Sequence, residues 1–148
     1  MKGYTSVAML KTPPPTLEAA VLAANASFYR VFNAGDAAAM SRLWAEQVPV
    51  ACFHPAMPAL VGREAVMESW RQILRGPLPF VMRCDHARAH VLGTTAFVTC
   101  YEGNGDHPAH LAATNIFVLE QDAWKMVHHQ AGPLQAPLPR PAPASTAN

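Results

Sequence analysis

Apolar positions along the chain change their spacing partway, from intervals of three and four to strict alternation. Between 17 and 34, Leu17, Val21, Ala24, Phe28, Val31 and Phe32 recur at the period of a helix with one buried face. Thr16, after a run of prolines, is a suitable N-cap, and "NAGD" at 33–36 supplies two signals back to back. Gly35 fits the left-handed residue that closes one helix, and Asp36 fits the N-cap of the next. The short second helix carries Met40, Leu43 and Trp44 on its apolar side. A short strand over 48–53, a loop over 54–62 and a third helix over 63–75 follow, the helix with Val66, Trp70, Ile73 and Leu74 on one face. From residue 80 the period is two. Strands are predicted over 80–92 and 95–102 around Gly93-Thr94, and over 111–120 and 123–131 around Gln121-Asp122, with "GNGDHPAH" as a longer turn between the pairs.

Three helices followed by an antiparallel meander predict an α+β domain, its helices packed on one face of a curved, mostly antiparallel sheet to make a cone with an apolar interior. The prolines gather at the ends, in "PPP" at 13–15 and in "GPLQAPLPRPAPASTAN" at 132–148. Residues 16–133 are therefore expected to form the folded unit, residues 1–15 a flexible segment, and residues 134–148 a Pro/Ala-rich disordered tail.

Composition narrows the function classes. With 51% hydrophobic and 14% charged residues in 148, the chain can fill one core and is not a disordered polymer. Eleven Lys and Arg against ten Asp and Glu form no basic stripe, which argues against nucleic acid or an anionic membrane surface as partner. No apolar run approaches the roughly 18 residues of a membrane helix. The first residues lack the pattern of a signal peptide. Three cysteines without a paired motif read as free thiols of a reducing compartment, so a cytoplasmic location is expected.

Chemistry concentrates on histidines. His54 ends a short apolar run and precedes Pro55. An imidazole with an ordinary pKa of about 6.5 suits proton transfer at neutral pH, although a strand-end histidine can also simply cap a backbone group. His128 and His129 are adjacent on the last strand and must point to opposite faces. Trp124, Met126 and Gln130 share the parity of His128, while Lys125, Val127 and Ala131 share that of His129; Lys125 and Ala131 give the second set the character of an outer face, which puts His128 in the pocket. Tyr101, in step with Phe97 and Thr99, and Asn115 on the following strand are further pocket candidates. Phe28, Trp44, Trp70 and Met82 are apolar residues that serve either as core or as ligand wall. Arg83 or His86 could reach an anion, or their strand could face a second subunit. The two histidines of "DHPAH" lie in a Gly-rich turn without the spacing of a closed metal site, and no metal is expected. A Gly-rich phosphate loop and a GxSxG elbow are both missing, so neither a nucleotide cofactor nor a covalent nucleophile is expected.

The order of elements, with "NAGD" between the first two helices and "WKMVHHQAG" on the last strand, resembles the SnoaL-like branch of the nuclear-transport-factor-two-like superfamily. That resemblance implies a cystatin-like cone over about residues 17–133, and a superfamily whose members include isomerases, cyclases, dehydratases, binding modules and oligomerisation domains. The stretch "FNAGD…W…FHPAMPALVGREAVMESW" is similar to bacterial ketosteroid isomerases, where an Asp-Pro provides the proton-shuttling base. The similarity puts His54, with Pro55 kept, at that position. The isomerase's oxyanion-hole tyrosine falls at Phe28, which has no hydroxyl, and Tyr29 lies about 100° further round the helix. Steroid isomerisation is therefore not the expected activity. The expectation is a small, largely apolar organic ligand in the cone, a homodimer through the open sheet face, and no cofactor. If the protein is an enzyme, cofactor-free isomerisation, cyclisation or dehydration would use His54 as base with His128 and Tyr101 as polarising donors. The alternative is a module that only binds or oligomerises.

Overall fold

A computed structural model describes residues 14–76 and 78–142. Helix α1 (Leu17–Ala34) starts at Thr16, whose hydroxyl accepts from the Ala19 N–H at 3.2 Å. It ends at Gly35, in the left-handed region at φ 64°, with its N–H on the Phe32 carbonyl. Asp36 caps α2 (Ala37–Leu43) by accepting from the Ala39 N–H at 2.8 Å. Both roles expected of "NAGD" are met. Strands β1 (Ala51–Phe53) and β2 (Leu60–Val61) and helix α3 (Arg63–Ile73) follow, then the long strands β3 (Met82–Leu92), β4 (Thr95–Asn104), β5 (Ala109–Glu120) and β6 (Ala123–Leu138).

The six strands form one sheet in the order β2-β1-β6-β5-β4-β3. Neighbours are antiparallel except β1 and β6, which run parallel with Ala51 opposite His128. The three helices pack on this mostly antiparallel sheet, as the change of period predicts. The core between the layers contains Val21, Phe28 and Phe32 from α1, Val66 and Trp70 from α3, and Val98, Phe117 and Met126 from the sheet.

Two details of the sheet decide where side chains point. Between Ile116 and Phe117, pairing on β6 jumps from His128 to Met126, so Val127 forms a bulge. The bulge reverses the alternation: Met126 faces the core, and so do His129 and Ala131. On β3 a second irregularity between Asp85 and Arg88 includes His86 at φ 53°. Met82 and Cys84 pack on the core before it, and Ala87, Ala89 and Val91 after it.

The strand β6 also runs further than its sequence suggests. Residues 134–138, expected as the start of a disordered tail, belong instead to β6, whose register shifts after Pro133 and resumes with Leu138 opposite Ala109. The buried face of β5, with Ala109, Leu111 and Ala113, needs a partner strand there. Pro133 and Pro137 fit because proline keeps its carbonyl as an acceptor and its φ suits extended chain. Residues 1–13 of the segment 1–15 expected to be flexible, and residues 143–148 of the expected tail, lie outside the described residues.

Candidate functional site

Helices and sheet border a cavity of about 370 Å³. Phe28, Tyr29 and Phe32 reach it from α1, His54 and Pro55 from the loop after β1, and Trp70 and Ile73 from α3. Phe80 and Met82 border it at the start of β3. The sheet contributes Glu102, Asn104, His110, Leu111 and His129. The "NAGD" asparagine helps hold one edge: Asn33 donates to the Met82 carbonyl and accepts from the Met82 N–H, both at 2.8 Å.

Glu102 is the group for which this cavity is most unusual. On β4 the inward residues are Ala96, Val98, Cys100 and Glu102, so the carboxylate follows three core side chains into the interior and is 3% exposed. Tyr29 donates to its Oε1 at 2.8 Å. Among the described residues Oε2 has no partner, and it is not one of the fully occluded unpaired atoms, so it opens to the cavity. Burial raises the carboxyl to about 7, against the opposing effect of the Tyr29 hydrogen bond.

Around Glu102 the hydrogens can be assigned by valence. Asn115, fully buried, donates both amide hydrogens, to Asn25 Oδ1 at 2.7 Å and to the Tyr29 hydroxyl at 3.2 Å. Its Oδ1 must then accept from the Nδ1–H of His129, 2.5 Å away. That leaves the His129 Nε2 as a bare lone pair, 4.0 Å from Glu102 Oε1. Burial, with His54 and His128 nearby, pushes His129 down to about 3, so its ring is neutral. Asn25 donates its own amide to Cys84 at 3.6 Å.

His54 is fixed in the same manner. The Ser69 hydroxyl spends its hydrogen on the Val66 carbonyl at 2.7 Å, so its oxygen accepts from His54 Nε2–H at 2.9 Å. Nδ1 is therefore the basic nitrogen. The ring stands edge-on to Trp70 at 4.8 Å, and burial holds its pKa below the ordinary value. Its loop is strained: Met57 N–H closes a turn onto the His54 carbonyl at 3.0 Å, with Ala56 at φ 59° in the region that favours glycine.

Of the residues singled out by sequence, His54, Phe28, Trp70 and Met82 line the cavity. Asn115 lies behind its wall as the hub of the buried network. Three others lie elsewhere. His128 is on the opposite face, with Nδ1 donating to the Ala51 carbonyl at 3.0 Å, because the Val127 bulge exchanges the places of the two histidines. Tyr101 is on the outer face of β4 beside His86, because the small residues of β4, not its aromatic ones, lie beneath the helices. Trp44 is buried core, 6.5 Å from Trp70, and does not reach the cavity. Arg83 pairs with Asp85 at 2.8 Å and holds the His107 carbonyl, so it has no role in the cavity.

Nothing in the sequence marks Glu102; the parity of the last strand puts His129 on the outer face, where the structure does not have it, and Tyr29 stands out only as lying about 100° round the helix from Phe28. Tyr29 could have been found: a buried helical stripe is wider than 100°, and Asn25 and Tyr29 lie beside Val21, Phe28 and Phe32 on it.

Among the described residues no three His, Cys, Asp or Glu side chains converge on a metal position, and no helix is long and apolar enough to cross a membrane. Cys52, Cys84 and Cys100 are unbridged. Cys52 lies near His54 but is pushed up to about 12 by burial and by the Glu102 charge, which keeps it a thiol and a poor nucleophile.

Comparison with known proteins agrees with this fold. The sequence profile of the SnoaL-like domain matches residues 21–134. A proposed dehydratase of the NTF2-like family from Streptomyces avermitilis is 33% identical, with a TM-score of 0.70 over 79% of this chain and 95% of that one. A proposed calcium/calmodulin-dependent protein kinase type II association domain from Thiobacillus denitrificans is also 33% identical, with a TM-score of 0.65 over 77% and 94% of the two chains. The F-box protein SKIP8 of Arabidopsis thaliana is 26% identical over 112 residues, which are 76% of this chain and 48% of that protein. The chain thus spans about half the length of this curated relative. With its cone, its "NAGD" helix junction and the matching profile, the chain belongs to the SnoaL-like domain family and has the cystatin-like fold of NTF2-like proteins.

Proposed function

We propose that the cavity binds a small, largely apolar organic molecule and moves a proton on it without a cofactor, in a reaction of the isomerisation, cyclisation or dehydration type. The observation that supports this most is Glu102: a carboxyl raised to about 7 by burial, with one oxygen held by Tyr29 and the other open to an apolar cavity. A carboxyl near neutrality can both take and return a proton at physiological pH. His54, whose basic Nδ1 meets only the Cys52 thiol at 3.9 Å, is the second proton carrier on the same cavity. The dehydratase description of the Streptomyces relative is compatible with this chemistry.

The test is to purify the protein under native conditions, identify co-purified small molecules by mass spectrometry, and incubate them with wild type and Glu102→Gln. Conversion by wild type, lost in Glu102→Gln, supports the reading. Bound molecules that wild type leaves unchanged would favour the second reading, a module that binds or associates. That alternative is supported by the association-domain relative and by the aromatic pairs on the outer sheet face, where His90 stacks on Phe97 at 4.6 Å and His86 meets Tyr101 edge-on at 6.1 Å. A second copy of the chain would cover this face, and sedimentation would detect it.

A further inference from the structure

Three polar groups of the protein interior face or line the cavity. His54 presents Nδ1, because Nε2–H is committed to Ser69. His129 presents Nε2, because Nδ1–H is committed to Asn115. Glu102 presents Oε2, because Oε1 is held by Tyr29. Tyr29 has no hydrogen to spare, since it accepts from Asn115 and donates to Glu102. With Glu102 ionised, as it is above about pH 7, all three positions are lone pairs. Asn104, together with the exposed His110, is the remaining polar part of the lining, and neither Lys nor Arg is in it.

Resting on the ligand-binding reading above, we propose that this cavity selects hydrogen-bond donors: its occupant is a flat, apolar molecule with hydroxyl or ammonium hydrogens at its inner end, and anions and molecules with only carbonyl or ether oxygens are discriminated against. A donor satisfies lone pairs whose best protein partner is the weak Cys52 thiol, 3.9 Å from His54 Nδ1. A ligand acceptor placed against His54, His129 and Glu102 meets lone pairs, the donors of the lining being confined to Asn104 and the exposed His110, and an anion there is desolvated beside a carboxylate. The Phe28 and Trp70 rings supply apolar wall for the body of the molecule and, where the donor is an ammonium, a cation–π surface. Tyr29 and Glu102 are the same types of group as the donor pair of a steroid isomerase, but Tyr29 spends its hydrogen on Glu102 and not on the cavity.

The experiment is a matched naphthalene series bound to wild-type protein at pH 8 and followed by calorimetry: 2-naphthol, 2-methoxynaphthalene, 2-acetylnaphthalene, 2-naphthoate and 2-naphthylmethylamine. Naphthol and the ammonium should bind about tenfold or more tighter than the ether and the ketone, as expected for a donor reaching a charged acceptor, with naphthoate weakest. In Glu102→Gln the naphthol-to-ketone ratio should fall to within about twofold, because the amide offers a donor of its own. An ether or ketone that binds as tightly as naphthol, or a naphthoate that binds more tightly, overturns the donor rule and leaves the ligand-binding reading standing. Failure of every member to bind overturns both.

Discussion

Replacing Glu102 with glutamine removes a carboxyl that folding holds near neutrality, so its effect on stability must depend on pH. The shift from 4.5 to about 7 is roughly two and a half pK units, which at about 1.4 kcal/mol per unit is about 3 kcal/mol. The folded state binds this proton more tightly than the unfolded chain does. The penalty for ionising the buried group is therefore absent below pH 4.5, grows as the pH rises towards 7, and is complete above that. Glutamine can still accept from Tyr29 through Oε1 and cannot ionise. The stability of Glu102→Gln relative to wild type should consequently rise by about 3 kcal/mol between pH 4.5 and pH 8. His129 acts in the opposite direction: it is pushed from 6.5 to about 3, so the unfolded chain takes up its proton first and stability falls as the pH drops below 6.5. This effect is common to both proteins and cancels in the difference. Urea unfolding of the two proteins at pH 5, 6, 7 and 8 measures it. A difference that stays constant to within about 1 kcal/mol across that range would refute the reasoning.

Other substitutions probe the surrounding groups. Tyr29→Phe removes the hydrogen bond that favours the ionised carboxylate, so the Glu102 midpoint should move above 7, as read by carboxyl carbon NMR. Asn115→Leu leaves His129, Tyr29 and Asn25 without their shared partner and should cost about 3 kcal/mol in urea unfolding, whereas His128→Ala on the other face should cost about 1 kcal/mol or less. Ala56→Gly relieves a left-handed alanine, worth about 1–2 kcal/mol, against about 0.5–1 kcal/mol of added chain entropy. Unlike most alanine-to-glycine changes it should leave the melting temperature unchanged or raised.

The architecture could be read from the sequence because it rests on local signals: the period of α1, Gly35 and Asp36 at its end, and the turns at Gly93 and Gln121-Asp122. Which face each strand buries depended on features that carry no local mark. Nothing in "WKMVHHQAG" announces a bulge at Val127, since the extra residue is selected by how β6 must curve against β5, and that one residue decides which histidine enters the cone. On β4 the alternation itself was legible, but "TAFVTCYEGN" offers an aromatic set and a small set. The small set is inside because the helices lie close to the sheet, and Glu102 goes with it. The Asn25, Tyr29, Glu102 and Asn115 cluster joins residues up to 90 positions apart, a proximity only the closed sheet creates. His54 was visible because Pro55 and the end of an apolar run mark the place where a strand opens into a loop.

The most direct test of the whole account is carboxyl carbon NMR of Glu102 titrated from pH 4 to pH 9, with and without saturating 2-naphthol. A midpoint of about 7 in the free protein, displaced when naphthol fills the cavity, is the predicted result. A carboxyl that titrates at the ordinary 4.5 and does not respond to the ligand would contradict it.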